Sequence, residues 1–163
     1  MNQPVKSGRT RRNTMLEELG RNQTLICCLA AWFSAQLMKY LIDGIRRKEW
    51  SVAHLFLGSG GMPSSHTAFV SALVMRVGMT EGFHSTAFAI SFVVLFIVMT
   101  DAIGVRRETG RQGSAINLLM DWFTMEHDPM MESKDLKERV GHSPLEVLIG
   151  FFWGVACALV FGK

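Results

Sequence analysis

The run TAFAISFVVLFIVMT, Thr86 to Thr100, contains no charged side chain and is followed at once by Asp101. A stretch this apolar is at home in hydrocarbon, where an α-helix satisfies every backbone group internally. Working outward, three more apolar runs punctuate the chain: Leu25 to Ile42, Thr67 to Val77, and Val147 to Gly162, the last also uncharged. The pattern predicts an all-α, polytopic membrane helix bundle with about four transmembrane helices plus short interfacial helices. Each run falls short of the roughly 20 residues that cross a bilayer, so flanking residues must extend it or the helices must pack closely. A soluble helical bundle is the competing reading.

Composition agrees with one membrane-embedded unit: 163 residues, 48% hydrophobic, with a mean hydropathy of +0.20. Net charge is only +3, but the cations cluster near Arg9 to Arg12, Arg46 to Lys48 and Arg106 to Arg111, which favours anionic partners. No nucleic-acid partner is expected. Cys27, Cys28 and Cys157 all lie in apolar runs, where a thiol acts as a small hydrophobe, and no zinc spacing exists. Residues 1–23 read as a basic tail and a short surface helix, the latter from the capping-box spacing of Thr14 and Glu17. Glu17 and Glu18 in this polar leader argue against a cleaved signal peptide. The glycosylation triplet at Asn22 is taken as a chance match. Residues 24–163 are expected to form a single membrane-embedded domain.

Between the first two runs, Gly58-Ser59-Gly60-Gly61 is a glycine-rich loop ending at Pro63, the expected first residue of the second helix. After Asp101 and Gly104 a polar stretch reaches Gly141. Within it Ile116, Leu118, Leu119, Trp122 and Phe123 are spaced like one face of a helix lying on a membrane. Ser143-Pro144-Leu145-Glu146 combines an N-cap, a first-turn proline and a capping-box glutamate, and so starts the last helix.

If the four runs cross in alternation, the end of the first, the start of the second, the end of the third and the start of the fourth share one membrane face. The chemistry-bearing residues sit at those ends: Lys39 with Arg46 and Arg47, Pro63-Ser64-Ser65-His66, Asp101 with Arg106 and Arg107, and His142 with Glu146. Cations, two histidines and the amides of a helix start describe a phosphate site. One imidazole can attack phosphorus while the other protonates the leaving oxygen. Structural readings compete for several of these residues. Glu146 also completes a capping box, Lys39 can snorkel to the headgroups, and the Arg46 to Lys48 cluster can set topology. Asp101 is expected to brace the loop by pairing with Arg106 or Arg107. His54, His84 and His127 are read as ordinary surface residues.

These runs resemble the signatures of the type 2 phosphatidic acid phosphatases, which are Lys, six residues, Arg-Pro; Pro-Ser-Gly-His; and a Ser-Arg element followed by His, three residues, Asp. Lys39 and Arg46 keep the first spacing with Arg47 in place of proline, Pro63 to His66 keeps the second with serine for glycine, and His142 to Glu146 keeps the histidine half of the third with glutamate for aspartate. Leu136 and Lys137 stand where the Ser-Arg pair would be. The runs Gly60 to His66, Asp101 to Arg107 and Leu136 to Val147 together resemble the divergent branch called acid phosphatase/vanadium-dependent haloperoxidase-related, over about Thr24 to the C-terminus.

The resemblance implies a membrane phosphatase that hydrolyses a lipid phosphate or diphosphate through a phosphohistidine, without a metal or other cofactor, and with vanadate as a phosphate mimic. It assigns His142 as nucleophile, Glu146 as the group orienting its ring and His66 as general acid. Lys39, Arg46, Ser64, Ser65, Arg106 and Arg107 would bind phosphate, with Asp101 and Pro63 in support. Two alternatives stand beside it: a non-catalytic anion- or lipid-binding membrane protein with a degenerate site, and a vanadate-dependent haloperoxidase. An integral, multi-pass location is expected, with both termini on the face opposite the site and the orientation left open. Membrane lipids are the expected surroundings, and self-association into a homo-oligomer is left open.

Overall fold

The computed structural model describes residues 17–47, 50, 61–127 and 141–161, all helix or short turns with no strand among them. Residues 17–21 form an exposed helical turn, and Thr14, on which the surface-helix reading rests, lies outside the described residues. Helix α1 follows over Gln23–Arg47, five residues beyond the apolar run, continuing through Asp43 and Gly44 to the two arginines. Asn22 starts it by accepting the Leu25 N–H at 3.0 Å, a capping role for the residue of the glycosylation triplet.

Helix α2 spans Ser65–Glu81. Pro63 is therefore not its first residue. Ser64 is the N-cap and its hydroxyl accepts from the Thr67 N–H and Oγ1, which fixes the entry two residues later than the proline suggests. Helix α3 spans Thr86–Ile103 with Ser85 as N-cap. Helix α4 begins after Gly104, spans Val105–His127, and packs among the described helices only on α3. Ile116, Leu118, Leu119, Trp122 and Phe123 are exposed along it, and at 23 residues it is longer than the short interfacial helix expected. Helix α5 spans Pro144–Phe161.

Three stretches are long and apolar enough to cross a membrane: Gln23–Ile45, Thr86–Phe123 and Pro144–Phe161. Helix α2, with 17 residues, sits among them and packs on α1, α3 and α5. Its composition explains the central place. Thr67, Ala68, Ser71, Ala72 and Gly78 are small and buried, as is Arg76, and lipid would solvate such a surface poorly. Arg76 instead donates from Nη1 to the Phe161 carbonyl at 3.3 Å, satisfying the end of α5. Cys27 and Cys28 pack with Ala31, Ala72 and Ala158 as free thiols in the apolar core.

The closest approach is between α2 and α5. A Cβ placed at Gly150 or Gly154 would collide with the backbone carbonyl of Ser64 or Ala68, so the Gly150, Gly154, Ala158 ridge lets the two backbones touch. Substituting Gly154 by alanine should destabilise the bundle by about 1–3 kcal/mol, because the obstacle is backbone and cannot rotate away. Thermal unfolding in detergent should show a lowered midpoint.

Candidate functional site

The close α2–α5 contact sets the site. At its upper end the Ser64 N–H donates to the Glu146 carbonyl at 3.1 Å, joining the start of α2 to the start of α5. The His142 N–H donates to the Ala102 carbonyl at 3.1 Å, joining the loop before α5 to the end of α3. Gly141, with φ of 93°, makes that loop possible, since a side chain there would strike the backbone of Arg106 and Arg107. Three helix ends and the start of α4 are thereby drawn together.

Between them lies a cavity of about 230 Å³ lined by both imidazoles, His66 and His142, with Ser64, Asp101 and Arg106. Phe69, Val70, Ile97, Val98 and Ala102 complete its walls. The polar members come from three separate stretches of sequence, residues 64–66, 101–106 and 142. The Arg106 Nε and Asp101 Oδ2 are 2.6 Å apart, so the loop-bracing pair is formed and uses Arg106, with Arg107 exposed and absent from the lining. Lys39 is 5% exposed and is not among the lining residues, but it is near enough for its charge to act on both histidines. Pro63 and Ser65 are buried at the entry to α2. The Arg46 side chain lies outside the described residues.

Two expectations change. The Ser64 amide is taken by the Glu146 carbonyl, so the first-turn amides of α2 without an acceptor among the described residues are those of Ser65 and His66. Glu146 does not orient the His142 ring: its Oε2 accepts the Ser143 N–H at 2.9 Å, while Ser143 Oγ accepts the Glu146 N–H at 3.3 Å. This is the reciprocal capping box, and His142 Nδ1 is buried with no hydrogen-bond partner among the described residues. The box still serves the site, because it fixes the residue adjoining His142.

Asp43 is a residue that motif reading passes over. A Cβ at Gly61 would come within 3.0 Å of Lys39 Cε and 3.2 Å of Asp43 Oδ2, so the two side chains converge on that loop glycine. The signal available in sequence is the four-residue spacing of Lys39 and Asp43, which puts them on one helix face. The apolar walls carry no such signal, since they read like any lipid-facing residue. Among the described residues no group of His, Cys, Asp and Glu gathers as a metal site.

Burial, and then the charges of Lys39, His66 and Arg106, push His142 down from the ordinary histidine range to about 4. The imidazole is therefore neutral across the physiological range and retains a lone pair for attack or for accepting a proton. The linkage has a definite sign: between pH 6.5 and about 4 the unfolded chain binds this proton and the folded chain does not, so acidification through that window lowers stability. An NMR titration of the His142 ring should give a midpoint near 4 in the unliganded protein. In Lys39→Met the midpoint should rise, because one of the repelling charges is gone.

Comparisons with known proteins give the family. A family model described as the Divergent PAP2 family matches residues 20–157. The chain is 40% identical over 154 residues to a protein of Bacillus subtilis (strain 168) described as "Uncharacterized membrane protein YuiD", covering 88% of this chain and 96% of that relative. No solved structure matches.

Proposed function

Because the chain belongs to the Divergent PAP2 family and is an integral membrane protein, we propose that it is a phosphatase acting on the phosphate or diphosphate of a membrane amphiphile. The observation that carries this reading is the single cavity that His66, His142 and Arg106 line together. A neutral imidazole, a guanidinium and a helix N-terminus around one space suit a tetrahedral oxyanion. The apolar walls on α2 and α3 suit the adjoining hydrocarbon of such a substrate.

In this mechanism an imidazole nitrogen of His142 attacks phosphorus, the bond from phosphorus to the leaving oxygen breaks, and His66 gives that oxygen its proton. A water then loses its proton to His66 and attacks the phosphohistidine; the P–N bond breaks and inorganic phosphate leaves. Arg106 and Lys39 carry the charge of the equatorial oxygens, with the first-turn amides of α2 beside them. Binding of the phosphate dianion raises the proton affinity of His66, which prepares it to act as the acid. Asp101 shares Arg106 with the substrate and keeps the guanidinium in place.

Phosphate release from phosphatidate, phosphatidylglycerophosphate or an isoprenyl diphosphate is the direct test, run on purified protein with and without chelator. His142→Ala should abolish it, Arg106→Ala should lower the rate about a hundredfold or more, and chelator should leave it unchanged. Absence of release from all three substrates would count against the reading. Glu146→Gln should retain release within a few-fold, since glutamine also serves in a capping box, and a loss as deep as that of His142→Ala would return an orienting role to the carboxylate.

The second reading, an anion- or lipid-binding membrane protein without turnover, is favoured by the use of the Ser64 amide inside the fold and by the absence of a Ser-Arg pair before His142. Phosphate binding without hydrolysis would select it. The haloperoxidase alternative is tested by bromide oxidation with vanadate and peroxide.

A further inference from the structure

Asp43 lies within the Lys39 to Arg46 spacing without being one of its signature residues, yet it is placed to act on the site. It lies one turn beyond Lys39 on α1, and both side chains reach the same loop glycine from the helix below it. Gly61 has φ of 92°, a region costly for any residue with a Cβ, and a Cβ would also press on Lys39 and Asp43 together. The glycine therefore lets the backbone at residue 61 lie against this pair. Lys39 is buried, and a buried ammonium needs a carboxylate to keep its proton. Among the described residues the groups around it are Asp43 on α1, His66 on α2, His142 just before α5 and Glu146 in its first turn, with Arg106 of α4 near the two histidines. Two of these are carboxylates, and Glu146 is already engaged at the Ser143 N–H.

We propose that Asp43 is a positioning residue that, backed by Gly61, keeps the Lys39 ammonium charged and held against the bound oxyanion. The inference rests on the phosphate-handling reading of the site, but not on turnover. A neutral amine would offer phosphoryl oxygens no charge-assisted hydrogen bond, so losing Asp43 should appear as a loss of anion affinity at alkaline pH.

The test is calorimetric binding of orthovanadate to the full-length protein in detergent, from about pH 6 to about pH 10, a range that approaches the ordinary lysine value. Vanadate's own protonation is common to all curves, so only differences between variants are read. Lys39→Met should lack the alkaline fall that belongs to Lys39. Asp43→Asn should bind about tenfold more weakly at the alkaline end, with its fall displaced about one pH unit downward. Asp43→Glu should restore the wild-type position, and Gly61→Ala should behave like Asp43→Asn. A folded Asp43→Asn protein, with an unchanged thermal midpoint and an unmoved alkaline fall, overturns the proposal. If the wild type binds vanadate but releases no phosphate, the phosphatase reading falls and the Asp43 comparison still decides this one. If the wild type binds no vanadate, both fall.

Discussion

The backbone contact between α2 and α5 is the constraint that organises everything else. Gly150 and Gly154 lie against the carbonyls of Ser64 and Ala68, so α5 cannot slide or rotate on α2 without a collision. Lipid provides little driving force for helix association, and tight contact of this kind is what holds such helices together. Its register is finished by the bond from the Ser64 N–H to the Glu146 carbonyl. Residue 142 is then brought to the end of α3, and His66, the second residue of α2, comes to the same space. Packing of small residues well inside the bundle thus decides whether two imidazoles meet at its edge.

Electrostatics follow from that packing. Burial and the cations around His142 disfavour its protonated form, which keeps a nitrogen available at neutral pH. The same closeness would be repulsive were it not for Asp101 against Arg106 and for the carboxylates near Lys39. The fold therefore holds its cations ready with its own acidic groups. On the reading proposed above, an incoming phosphate would meet cations already held by carboxylates, which lessens the rearrangement needed on binding.

Much of this was legible in the sequence because lipid and helix ends impose local rules. Thr86 to Thr100 could be read as a helix from its composition alone, and Ser143 to Glu146 announced the start of α5 through contacts within one turn. Laying the four apolar runs in alternation was enough to place residues 39, 66, 101 and 142 at one end of the bundle. What escaped depends on contacts between distant segments. The two-residue delay at Ser64, the capture of its amide by residue 146, the place of α2 inside the others, and the meeting of Asp43 with Gly61 are not encoded in any window of neighbours. Glu146 shows the limit well, since a carboxylate three places after a serine and four after a histidine satisfies two motifs and the coordinates give it to the serine.

Helix α5 is tied at both ends, by the Ser143 box at its start and by the Arg76 guanidinium on its last turn. Its 18 residues rise about 27 Å, slightly less than the roughly 30 Å of a typical hydrocarbon slab. A strut of fixed length that is shorter than its solvent cannot adjust by fraying, so the surrounding bilayer has to thin around it or the cavity end has to sink below the headgroup plane. Acyl chain length in the host membrane thereby becomes a mechanical variable for this protein, setting how deep below the surface the two histidines lie.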